Sequence, residues 1–155
     1  MNKPSVRLTI LFVSIAVLVF LRLQWVNYER GPSRQSAPVA DCLWVDADLV
    51  DGIATGLTVG GGGSLDPMTA RAVKSKDYAN VYFIAAAIQG PGMGDGSQSI
   101  GVWASDSLTV GGGLIFAVDA FANEFSDWGD GGATSSQLSM ADDGARAAKA
   151  CVAAN

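Results

Sequence analysis

The chain contains no histidine, so the commonest general base and metal ligand is missing from any chemistry it performs. A Ser-His-Asp or Cys-His site is excluded at once. What is left for acid–base work is a set of carboxylates, Asp119, Glu124 and Asp127, close enough in sequence to converge. Two such groups work as acid and base when their surroundings push their protonation apart. Solvated loop acids are the plainer account of all three. A Ser-Lys pair needs a buried lysine, and Lys74 and Lys76 alternate on a short segment read as an exposed strand.

Other motifs are weaker. Asp127-Trp128-Gly129-Asp130-Gly131-Gly132 superficially resembles a calcium loop, but it lacks a ligand at the third position and a closing Glu. Residues 60–63 are glycines followed by Ser64-Leu65-Asp66, with no Lys-Ser/Thr to hold a phosphate. Gly90, Gly92, Gly94 and Gly96 alternate and do not fit the dinucleotide fingerprint. Leu57-Thr58-Val59-Gly60-Gly61-Gly62 is echoed by residues 108–113, which predicts two loops of similar chemistry. The 2 cysteines, Cys42 and Cys151, form no CxxC and do not make a zinc site. No cofactor and no metal are expected. Oxidised to each other, the two cysteines would close a long loop, worth up to about 4–5 kcal/mol in the chain-entropy model. That bond requires an oxidising compartment.

Charge narrows the partners. From residue 36 onward the chain carries 5 basic and 14 acidic side chains, a net charge of −9. Such a surface repels phosphate backbones and anionic headgroups, so nucleic acid is not expected to bind. The acids are read chiefly as keeping the domain soluble.

The elements that must position these residues begin with residues 8–21, LTILFVSIAVLVFL, which carry no charge. Extended to Val26 the stretch is 19 residues long, near the ~20 that span a bilayer. Arg22 can snorkel, and Trp25 and Tyr28 fall where an interfacial belt lies. Residues 23–28 offer no small pair for signal cleavage. The segment is therefore expected to anchor the chain through residues 8–26, with residues 1–28 as stub and anchor and 29–41 as linker. Basic flanks do not fix its orientation; the cysteines favour a cytoplasmic N-terminus and an extracytoplasmic domain at 42–155.

In that domain Asp46 is placed to cap a helix with Leu49, Val50, Ile53 and Leu57 on one face. Four strands are expected at 70–76, 81–88, 100–105 and 114–122. The second is a dense apolar run suited to a central strand. The third alternates Ile100, Val102, Ala104 against Gly101, Trp103, Ser105. In the fourth, Asp119 is expected to face solvent, opposite Phe116 and Val118. Residues 123–138 read as irregular. Ser139-Met140-Ala141-Asp142 resembles a capping box for a last helix, with Met140, Gly144, Ala147 and Cys151 as its stripe.

The pattern predicts an α+β, two-layer domain: helix, four antiparallel strands, helix, with both helices on one sheet face. Its other face and the loops at 90–97 and 123–132 form the expected binding surface, with Trp103, Asp119, Glu124, Asp127 and Trp128 as candidates, although Trp128 is read first as a core plug. The leading functional expectation is a non-enzymatic, membrane-tethered binding or accessory domain. The alternatives are an envelope enzyme using Asp119, Glu124 and Asp127, and a structural subunit of a membrane assembly.

Overall fold

A computed structural model describes residues 41–94, 99–111 and 113–154. The expected anchor at 8–26 and nearly all of the linker lie outside the described residues. Among the described residues no helix is long and apolar enough to cross a membrane.

The described residues form a mixed α+β domain, a seven-stranded sheet with three α-helices. Asp46 caps the first helix, α1 (Ala47–Ala54), its carboxylate accepting the Asp48 N–H at 2.9 Å. Leu49, Val50 and Ile53 are buried as their spacing requires. The strands are β1 (Leu43–Trp44), β2 (Ser64–Leu65), β3 (Arg71–Lys74), β4 (Tyr82–Gln89), β5 (Ile100–Ser105), β6 (Ile115–Ala117) and β7 (Gly129–Asp130). Their order is β1-β3-β4-β5-β6-β7, with β2 paired to the far end of β4 through Leu65 and Ile88. Every pair is antiparallel except β6 with β7, which is parallel. That parallel pair is reached through α2 (Ala120–Phe125), a helix inside the segment read as the end of a strand and the start of an irregular stretch. The last helix is α3 (Asp143–Ala153).

Both sheet faces are covered, which corrects the two-layer expectation. Leu43, Ala72, Ile84, Trp103 and Ala117 form one cross-strand row. This row packs with Val50 and Ile53 of α1 and Ala122 of α2. The neighbouring row, Val73, Phe83 and Ala104, points the other way and packs with Ala145, Ala148 and Val152 of α3. The terminal helices therefore lie on opposite faces. The physical reason is in β4 and β5, whose apolar residues occupy both sets of alternate positions. A strand apolar on both sides is stable only when both sides are covered.

Small residues let α3 approach. Gly144, Ala145, Ala148 and Cys151 face the sheet. A Cβ on Gly144 would lie 2.6 Å from Cδ2 of Phe83, so the helix backbone meets that ring directly. The Ser139–Asp142 turn forms as a reach-back cap: the Asp142 carboxylate accepts the Ser139 N–H at 2.8 Å, and the helix starts one residue later.

Two glycines of the α1 region should respond oppositely to substitution. Gly52 has open space where a Cβ would go, whereas at Gly56 that atom would lie 2.5 Å from Nε1 of Trp128. Gly52→Ala is therefore expected to stabilise the fold by up to about 1 kcal/mol through helix propensity. Gly56→Ala should displace the indole and cost about 1–3 kcal/mol. Urea titrations of the two variants side by side check the signs. Equal effects would mean that Trp128 does not pack as described.

Candidate functional site

Of the sequence candidates, Asp119 sits in a structural polar cluster and not at an open site. The β6 segment ends at Ala117, and Val118 still bonds back to β5, its N–H reaching the Val102 carbonyl at 2.9 Å. Asp119 then caps α2 and turns inward. It is 6% exposed, so the expectation that it faces solvent is overturned. The cause is local: a short acid followed by Ala-Phe-Ala-Asn-Glu-Phe stops the strand and starts a helix, whose free N–H groups need an acceptor. One oxygen, Oδ1, accepts the Ala122 N–H at 2.8 Å and the Val102 N–H at 3.2 Å. The other, Oδ2, accepts Lys149 Nζ from α3 at 2.8 Å. Lys149 keeps about a third of its side chain in water, with a relative exposure of 36%.

This carboxylate thus ties β5, α2 and α3 together, and its lone pairs are committed to that work. A general base needs an oxygen within reach of a substrate proton. Asp119 has a buried carboxylate already holding three donors.

The other candidates separate. Trp103 lies fully buried in the α1-side core, its Nε1 donating to Ser126 Oγ at 3.3 Å, so it cannot belong to a contact surface. Trp128 is half-buried and plugs the same core, its Nε1 donating to the Ile53 carbonyl at 2.9 Å. Glu124 and Asp127 are exposed at the end of α2 and beyond it. Asp130, in the loop read against calcium, spends its carboxylate locally on the Gly132 N–H at 2.8 Å. Among the described residues no three His, Cys, Asp or Glu side chains gather as a metal site would require.

Cys42 and Cys151 are joined as a disulfide, with Cα atoms 6.0 Å apart. Cys42 precedes edge strand β1, and Cys151 lies in the last turns of α3. The bond therefore links a strand edge to a helix.

Two features of possible function escaped the sequence. One is on β1, where Trp44 is 64% exposed and the Arg71 guanidinium lies over its ring, 3.6 Å from the centroid. Arg71 itself is buried and donates to the carbonyls of Met68 at 3.0 Å and Ala70 at 2.8 Å. Met68 beside it is 71% exposed. Trp44 was legible only as a tryptophan two residues after a cysteine, in a run too short for periodicity. The other is a cavity of about 340 Å³ at the end of β4, lined by Asp66, Thr69, Gln89, Met93 and Ser99 among others. Asp119, Glu124 and Asp127 take no part in its wall. No family profile, curated protein or solved structure matches this chain.

Proposed function

We propose that this chain is a membrane-tethered, extracytoplasmic binding or accessory module that acts by contact and not by catalysis. The observation that carries the reading is Trp44. A large aromatic left 64% in water on an edge strand is held flat by a guanidinium. Trp, Arg and Met are the residue types enriched where proteins meet. A ring fixed by stacking loses little freedom on binding, which favours contact energy over ordering cost. Met68 extends the same patch, because its carbonyl receives Arg71 Nη1.

The contact surface proposed here replaces the open sheet face, since both faces are covered. It is the β1 edge, and the partner is a protein. The Cys42–Cys151 disulfide supports an oxidising compartment. The uncharged stretch at 8–21 supports a tether, and the disulfide, which favours a domain outside the cytoplasm, supports a cytoplasmic N-terminus. The enzyme alternative loses support because Asp119 already holds three donors.

The test uses the full chain in its own membrane. A photo-crosslinking amino acid at position 44, and separately at 68, is expected to give one discrete adduct that position 124 does not give. The protein should also stay in the membrane after alkaline carbonate washing. Absence of any adduct at 44 and 68 would refute the contact surface, and release by carbonate would refute the tether.

A further inference from the structure

The cavity at the end of β4 has a composition that selects one kind of guest. Asp66, a half-buried residue, forms part of its wall. The Oδ1 atom of Asp66 accepts the Met68 N–H at 2.9 Å. The ion pairs among the described residues are Lys76–Asp143 and Lys149–Asp119, so Asp66 has no cationic partner there. Among the described residues no lysine or arginine lines the cavity. An anion entering it would meet a negative charge in a domain whose net charge is already −9.

The rest of the wall is of two kinds. Thr69, Gln89 and Ser99 carry hydroxyl and amide groups, while Ala87, Ile88 and Met93 are apolar. The volume, about 340 Å³, lies at the lower end of the range for small-molecule sites. A carboxylate in a partly enclosed place favours a cation more strongly than one in open water does, because screening is weaker. A primary ammonium supplies three donors, enough for one carboxylate and neighbouring side-chain oxygens. Its alkyl chain suits Ile88 and Met93, methionine being adaptable to irregular guests.

We infer that this cavity binds a small alkylammonium ligand, with Asp66 as its counter-ion. The inference rests on the reading of the domain as a binding module and concerns a second place on it. Isolated negative charge on a surface is common, but here the carboxylate, the hydrogen-bonding groups and the apolar wall share one concave site.

The probe is 1,4-diaminobutane, with 1,4-butanediol as its neutral counterpart. Full-length, isotope-labelled protein in detergent micelles is titrated with each and followed by amide resonances. Saturable shifts are expected at Thr69, Gln89, Gly90 and Met93 with the diamine, and binding of the diol should be about tenfold weaker or less. Asp66→Asn should abolish that preference while leaving the rest of the spectrum in place. Should this variant lose its dispersed resonances, Gln89→Leu reads the same wall from a neighbouring strand and should weaken diamine binding. Diffuse, non-saturating shifts over the acidic surface would overturn the inference. Equal binding of diol and diamine, or a diamine response unchanged in Asp66→Asn, would do so too. A failed titration leaves a Trp44 adduct standing, and a missing adduct leaves the titration standing, so the two readings fall separately.

Discussion

Replacing Cys151 with serine is expected to lower the stability of the domain by about 2–5 kcal/mol. The bond spans a sequence separation of 109 residues, and closing so long a loop removes much freedom from the unfolded chain. It also acts on the folded side. Strand β1 has only two residues, held to β3 by the pairs Leu43↔Ala72 and Trp44↔Arg71. A strand that short at a sheet edge frays unless something fixes it. Cys42 is exposed and supplies that fixture, whereas Cys151 is buried against the sheet. Urea unfolding of Cys151→Ser, and of the unaltered protein with and without reductant, should give losses that agree. A loss below about 1 kcal/mol, or free thiols in the non-reduced denatured protein, would refute the role given to this bond.

The second large effect is at Asp119. Asp119→Ala should destabilise by about 3–5 kcal/mol, because it removes a helix cap and leaves two N–H groups without an acceptor inside the protein. Those groups belong to Val102 in β5 and Ala122 in α2. Asp119→Asn keeps a carbonyl oxygen for them and loses only the attraction to Lys149. Its cost should be smaller, about 1–2 kcal/mol. Lys149→Met should fall in that same lower range, since the ammonium is partly in water while the carboxylate keeps its N–H donors. The order of the three is what matters. If Lys149→Met proved as costly as Asp119→Ala, the ion pair and not the cap would be the main support.

How far the fold could be read from sequence differs by element. Strand β5 was expected at 100–105 and is found at Ile100–Ser105. The first helix was announced by Asp46 and by the spacing of Leu49, Val50 and Ile53, although it ends at Ala54 with Leu57 in the following turn. Both are long enough for periodicity to show. The strands β1, β2 and β7 have two residues each and carry no period at all; only their partners reveal them. The segment 114–122 departs from a single strand for another reason. Its apolar residues continue without pause from β6 into α2, and only Asp119 marks the change. That signal was present, since Asp before Ala-Phe-Ala is a cap pattern, but a run of alternating apolar residues competed with it. The two-layer expectation is overturned, although a signal against it lies in β4. The unbroken apolar run of β4 already implied cover on both faces. Of the candidate site residues, Asp119 and Trp103 went inside because polarity alone does not place a residue: Asp119 had donors waiting within the fold, and Trp103 had Ser126.

The position of the disulfide has a mechanical consequence. The described residues begin at Asp41, next to Cys42, and end at Ala154, three residues beyond Cys151, and the two cysteines are covalently joined. A pull applied between Asp41 and Ala154 would run through one sulfur–sulfur bond. The sheet, the caps and the Lys149–Asp119 pair would bear no load. Reduction would move that load onto the two-residue strand β1 and the end of α3, the parts least able to carry it.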